Sequence, residues 1–192
     1  MATQPLWGTP YDMGQVTPDD LLSLQDDGMF TELWKGQVVR TEMTSISHGF
    51  LANKLGMLLS THLQSIQIPA LVAQHALFDL TQPGQSRTVL APDVALVLAS
   101  SLPSTIAATY IPVGGPWLAI EILSPKQTLI QMRLKAQAYL AAGTVEVWII
   151  EPTKQTIETI TASGRTTFMA QQQLVSTILP QFTETVHNLV TI

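Results

Sequence analysis

Two acidic side chains stand alone in apolar company. Asp93 lies in the run Ala91-Pro92-Asp93-Val94-Ala95-Leu96-Val97-Leu98, and Glu121 lies in Trp117-Leu118-Ala119-Ile120-Glu121-Ile122-Leu123. An ionised carboxylate among such neighbours is costly unless it is hydrogen-bonded, paired or bound to a metal; otherwise its pKa rises until it is neutral. If the two runs pair as strands, cross-strand neighbours come within about 4.5 to 8 Å, close enough to share one divalent cation. Such an ion compensates two charges that repel each other. In phosphoryl chemistry it also lowers the pKa of an attacking water and binds the leaving oxygen. The chain has no cysteine, so a metal here would be held by oxygen or imidazole, which points to Mg²⁺ or Mn²⁺.

The elements that must position these acids are legible around them. The run 117–123 is apolar on both pleat faces except at Glu121, the pattern of a central strand. Ser124 and Pro125 end it, and residues 126–142 are rich in Ala, Leu and Gln, with Gly143 placed as a helix stop. Thr144 to Glu151 returns as a second strand, closed by Pro152. Strand, helix and strand of this length predict a βαβ unit, hence an α/β fold with a right-handed crossover. Pro92 puts Asp93 near a strand end or bulge, where side chains are often aimed into sites.

The remaining chain supplies the frame. Residues 1–16, with Pro5, Gly8, Pro10 and Gly14, read as an irregular arm, followed by one domain over 17–192. Thr17-Pro18-Asp19-Asp20 is a helix start, and that helix stops by Gly28. Phe30–Trp34 and Gln37–Met43 flank Lys35-Gly36 as a hairpin, which by itself would leave Glu32 as a solvent-facing strand residue. Ser47 caps a long helix to about Gln67. His48 and His62 on that helix are 14 residues apart, about 21 Å, so they cannot share an ion, and both read as packing histidines, although His48 at the helix start could reach a cleft; His75 in the strand Leu71–Leu80 reads as core too. Thr156–Thr161 and Thr166–Met169 form a further hairpin around Ser163-Gly164.

Composition sets limits. With 46% hydrophobic and 12% charged residues the chain can bury a sizeable core. No apolar run approaches the ~18 residues of a membrane span and no basic leader precedes an apolar segment, so a cytoplasmic location is expected. Residues 1–34 carry six acids and no base, and the rest carry eight acids and nine bases, so the net charge of −5 comes from the first segment. Phosphate neutralisation needs clustered cations, and a homodimer pooling them would ease their scarcity.

Several of these residues together carry a resemblance. Pro92-Asp93 opening a strand, Ile120-Glu121-Ile122-Leu123-Ser124-Pro125, then Lys135, Tyr139 and Gly143 spaced by four, then Glu146, Trp148 and Glu151-Pro152 resemble the large bacterial family described as putative restriction endonucleases, within the PD-(D/E)XK nuclease superfamily. Glu32, Leu33, Gly36 and His48 also fit its N-terminal pattern, so the resemblance covers about residues 17–190. It implies a restriction-endonuclease-like α/β fold: a central mixed β-sheet flanked by helices, with peripheral β-hairpins. It also implies Asp93 and Glu121 as metal ligands, with the main-chain carbonyl of Ile122 as a possible third, and Glu32 as an accessory acid.

The superfamily's usual lysine would lie two residues after the Glu, where this chain has Leu123. The resemblance assigns its role to Lys135, with Lys126 as rival. On a helix Lys135 lies about 40° from Tyr139 and about 60° from Met132, at the edge of the apolar stripe, from which a long stem can reach the strand ends. Alone, that position would read as a surface lysine. The chain departs from the family at Gln131, where an Asp is common, at Val147, where a Tyr often stands, and at Glu151, where the acid is usually Asp. The expected function is a Mg²⁺- or Mn²⁺-dependent endonuclease acting on DNA by in-line water attack, with Asp93, Glu121, Lys135 and Glu32 as its site. The alternative is a catalytically inactive nuclease fold serving as a dimeric interaction scaffold.

Overall fold

The computed structural model describes residues 9–11, 16–24, 29–42 and 45–192. Two sheets share the chain. The larger has six strands: β4 (Ala70–Ala73), β7 (Val94–Leu98), β8 (Leu118–Ile122), β9 (Glu146–Glu151), β10 (Thr156–Thr161) and β11 (Gly164–Met169), in the spatial order β11-β10-β9-β8-β7-β4. β8 and β9 pair in parallel, from Leu118 opposite Glu146 to Ile122 opposite Ile150, while the other pairs are antiparallel, so the sheet is mixed. The smaller sheet contains β1 (Thr9–Tyr11), β2 (Met29–Trp34), β3 (Gln37–Glu42), β5 (Phe78–Asp79) and β6 (Val89–Leu90), in the order β1-β3-β2-β6-β5.

Alternation along the central strands sorts the core into two faces. Val94, Leu96, Leu118, Ile120, Ile122, Trp148 and Ile150 point to one side, where they meet Leu51, Leu55, Leu59 and Leu63 of helix α2 (Ile46–Ser65) and Leu189 of α4 (Val186–Val190). Ala95, Val97, Ala119, Val147 and Ile149 point to the other, against Met132, Ala136 and Tyr139 of helix α3 (Leu129–Ala141) and against Trp34, Val39, Phe78 and Leu90 of the smaller sheet. Glu121 shares the parity of Ala119 and therefore faces α3. A register slip of one residue would exchange it for an isoleucine, which is why two-sided burial fixes the register.

The predicted βαβ unit is present as β8, α3 and β9, with Gly143 at φ +97° just past the helix. The helix begins later than the sequence pattern suggests, because Thr128 caps it: the Thr128 hydroxyl accepts from the Gln131 amide and the Gln131 side chain accepts from the Thr128 N–H. Helix α2 likewise starts from Ser45 rather than Ser47. The first hairpin turns through Lys35 and Gly36, both at positive φ, as a two-residue turn requires. Three residues of the N-terminal segment expected to be irregular form β1 on the edge of the smaller sheet. Helix α1 (Pro18–Ser23) carries a capping box between Thr17 and Asp20. The expected stop at Gly28, the strand end at Met43, most of the arm and the acids Asp12, Asp26 and Asp27 lie outside the described residues.

The strand expected over Leu71–Leu80 is instead two strands in two sheets. β4 ends at Ala73, the chain turns at His75 with φ +51°, and β5 joins the smaller sheet. The His75 N–H then donates to the Pro92 carbonyl at 3.1 Å, which ties this turn to the residue before Asp93. Among the described residues no helix is long and apolar enough to cross a membrane.

Candidate functional site

Continuing the β7–β8 ladder one step beyond Val94 opposite Ile120 puts Asp93 across from Glu121. Both line one pocket of about 900 Å³, together with Glu32, His48, His75, Lys126 and Lys135. Glu121 lies one residue from the C-terminal end of β8 and faces α3, whose Lys135 and Tyr139, one helical turn apart, both reach it. The Lys135 Nζ donates to Glu121 Oε1 at 3.3 Å and Oε2 at 3.4 Å, and the Tyr139 hydroxyl donates to Oε1 at 2.9 Å. The same ammonium donates to Glu32 Oε1 at 2.9 Å, across from the smaller sheet, and that oxygen also accepts from the Ala91 N–H at 2.9 Å.

Two readings made from isolated segments are thereby overturned. Glu32 is 4% exposed rather than solvent-facing, and Lys135 is 4% exposed rather than a surface lysine. A hairpin has two faces and a helix edge is half wet; only packing of the second sheet against the first decides that both side chains are covered. The departure at Gln131 also has a local explanation. Its side chain is spent on the α3 cap, and the lysine finds its partners in Glu32 and Glu121 instead. Val147 is part of the core under α3, and Glu151 pairs with Lys154 at 2.8 Å.

Asp93 is held from three sides. Its Oδ2 accepts from the Ile122 N–H at 2.6 Å and lies 3.3 Å from His48 Nε2, while Oδ1 lies 3.7 Å from His75 Nδ1. His48 Nε2 is also 3.0 Å from the Ile122 carbonyl oxygen, and its Nδ1 is buried with no hydrogen-bond partner. Two acceptors around Nε2 place the proton there. His48 and His75, both read as packing histidines, are therefore attached to the site. His62 is not: its Nε2 meets the Pro180 carbonyl and its ring packs edge-on to Phe182. Lys126 is exposed on the rim of the pocket.

The electrostatics follow from burial and from like charges. Burial is the largest cause raising the Glu121 carboxyl from 4.5 to about 8; repulsion from Asp93 and Glu32 adds to it, while Lys135 and the Tyr139 hydroxyl oppose it. Burial disfavours the Lys135 ammonium, but Glu121 and Glu32 outweigh it and hold the group charged with a pKa above its ordinary value. Burial likewise disfavours His48 as a cation, yet the hydrogen bond to Asp93 and its charge push the imidazole pKa upward. For His75 burial wins and the pKa falls. The Tyr139 phenol is raised well above its usual value, chiefly by burial and then by the facing acids.

Three acids thus converge on one covered pocket with the Lys135 ammonium between two of them, and Glu121 keeps its proton for want of a compensating positive charge. The available donors are hard: the carboxylates of Asp93 and Glu121 and the carbonyl of Ile122. Among the described residues no trio of His, Cys, Asp and Glu forms a ready cage for a metal ion. Mg²⁺ does not need one, since it binds through one or two carboxylates and keeps waters or substrate phosphate oxygens for the rest. The residues therefore fit a small hard dication in donor chemistry and charge. Of the features the sequence reading missed, Tyr139 was signalled by its spacing of four from Lys135. The His75 turn carries no Gly or Pro to announce it.

Comparison with known proteins agrees with this architecture. The sequence model of the Uma2 family, described as putative restriction endonuclease, matches residues 18–187. A crystal structure described as a putative nuclease of the DUF820 family, from Anabaena variabilis, is similar with a TM-score of 0.77 at 20% identity, covering 91% of this chain and 97% of that one. At that identity the likeness shows the fold. No curated protein matches the sequence.

Proposed function

Because the chain belongs to the Uma2 family of putative restriction endonucleases, we propose that it is a Mg²⁺- or Mn²⁺-dependent endonuclease that hydrolyses DNA phosphodiester bonds by in-line water attack. The observation that carries this reading is the convergence of Asp93, Glu121 and Glu32 on one pocket, with the buried ammonium of Lys135 between Glu121 and Glu32. Asp93 and Glu121 would hold the ion, with the Ile122 carbonyl as a possible third oxygen. Held there, the ion would lower the pKa of the attacking water and neutralise charge at the leaving oxygen.

The chain's own groups do the rest. Lys135, kept cationic by Glu121 and Glu32, stabilises the charge that builds on the attacked phosphate and orients the water. Glu32 fixes the ammonium and accepts the Ala91 N–H, so it positions the lysine and takes no part in bond making. His48 donates to Asp93 and the Ile122 carbonyl and holds these two oxygens side by side. Lys126, on the rim, meets the nucleic-acid backbone. A homodimer would pool cations that one chain supplies sparsely.

A cleavage screen of duplex, single-stranded and branched DNA with Mg²⁺ or Mn²⁺, run beside Glu121→Ala, tests the reading. Calorimetric Mn²⁺ titration of the parent and Asp93→Ala supplies a readout independent of turnover. Cleavage lost in Glu121→Ala and Mn²⁺ binding lost in Asp93→Ala are expected; Asp93→Ala cutting as well as the parent sinks the assignment. One observation favours the second reading, a silent scaffold: the ammonium of Lys135 is already held by two carboxylates. That reading requires that Mn²⁺ binding show no dependence on Asp93.

A further inference from the structure

Beside the acidic pocket lies a second cavity, of about 540 Å³, with a mostly apolar wall. Phe78 and Leu77 form its floor, and Leu71, Ile106 and Tyr110 stand half-exposed around its mouth. The two cavities share Met29, Phe30 and His75 in their linings. Phe30 and His75 are stacked on each other, ring centroids 4.6 Å apart and planes 26° from parallel. The His75 main chain is anchored to Pro92 at 3.1 Å, and its Nδ1 is 3.7 Å from Asp93. An aromatic pair is thus fixed beside Asp93, one of the two carboxylates proposed to hold the ion.

We propose that this cavity receives an unpaired nucleobase of the DNA substrate, stacked against the Phe30–His75 pair, so that the nucleotide adjoining the scissile phosphate is taken single-stranded or extruded from the duplex. The inference rests on the nuclease reading for its substrate class but stands on separate observations. The chain has nine Lys and Arg against fourteen Asp and Glu. Of the described residues facing the acidic pocket, the cations are Arg40, Lys126 and Lys135, and the last is paired with two acids. Phosphate neutralisation, the main source of affinity for intact duplex, is therefore weak here. Aromatic stacking is the alternative source, and it operates on bases that have left the helical stack. A mostly apolar cavity roomy enough for a base, with an aromatic wall beside the acids, in a chain poor in cations, meets that requirement. The scarcity of positive charge becomes a determinant of which DNA is bound.

The test uses the full chain and a single-stranded oligodeoxynucleotide carrying one 2-aminopurine, with EDTA to prevent cleavage and, in parallel, with Ca²⁺. Stacking of the probe in the cavity is read as saturable fluorescence quenching, expected to be tighter than for the same oligonucleotide in a fully paired duplex by at least tenfold. Phe30→Leu should weaken the quenching binding at least tenfold. Should Phe30→Leu fold poorly, Ile106→Glu is the second variant: it alters a side chain that is 52% exposed at the mouth, and it should weaken binding by a comparable factor. Cleavage of duplex with the same efficiency as a mismatched or single-stranded site, together with no quenching, overturns this proposal and leaves the nuclease reading in place. Quenching that depends on Phe30 or Ile106 without cleavage of any DNA supports the base pocket and removes the nuclease reading. Absence of both quenching and cleavage overturns both.

Discussion

Glu121→Gln is the most informative single change, because it removes one charge while keeping the shape and an acceptor for the Tyr139 hydroxyl. The folded protein holds the Glu121 proton more tightly than the unfolded chain does, with its pKa raised from 4.5 to about 8. Stability from this group is therefore complete below pH 4.5, declines as pH rises, and is lost once pH passes about 8. The displacement corresponds to a ceiling of roughly 5 kcal/mol, and with Lys135 still paired to Glu32 in the variant we expect about 2 to 5 kcal/mol. Urea unfolding of parent and variant at intervals from pH 5 to 8.5 measures it. The two proteins should be of similar stability at pH 5, and the parent should fall progressively behind the variant toward pH 8.5. Mn²⁺ at pH 8 should restore the parent and leave the variant unchanged, since an ion favours the ionised carboxylate. Parallel stability curves across the whole range would refute the argument that burial and neighbouring acids hold this carboxyl protonated.

Lys135→Met removes the ammonium that Glu32 and Glu121 share and should cost about 3 to 5 kcal/mol at pH 8 and less at pH 5, read as the urea midpoint; adding Glu121→Gln should recover part of the loss. Glu146, fully buried, accepts from the Trp148 indole N–H at 2.5 Å, the Thr177 N–H at 2.7 Å and the Ser176 hydroxyl at 3.2 Å, and so ties the 174–179 segment to β9. Glu146→Ala strands these donors and should lower stability by about 3 kcal/mol or more, with a shift in tryptophan emission. A Cβ at Gly115 would come within 2.2 Å of Thr144 Oγ1 and 3.0 Å of the Tyr139 carbonyl oxygen. Gly115→Ala should therefore destabilise by about 1 to 3 kcal/mol, whereas Gly49→Ala, which meets nothing within 4 Å, should raise the melting temperature.

The sequence by itself determined the central βαβ unit, both hairpins and the two-sided burial of the strands around Asp93 and Glu121. These follow from short-range rules: continuous apolar runs over 94–98 and, apart from Glu121, 118–122, turn chemistry at Lys35-Gly36, a run of helix formers closed by Gly143. It also marked both acids as anomalous, because one charge in an apolar strand is visible without coordinates. What only the tertiary structure decided is who meets those acids. Glu32 lies 103 residues from Lys135 and in a different sheet, yet their side chains are 2.9 Å apart. The turn at His75, which splits an apparent single strand between two sheets, brings an imidazole to Asp93 and an aromatic wall to the cavity beside it. Local patterns set which face a residue occupies on its own element. Whether that face meets water or another element depends on how the two sheets pack, and that packing makes Lys135 and Glu32 a buried pair instead of two surface charges.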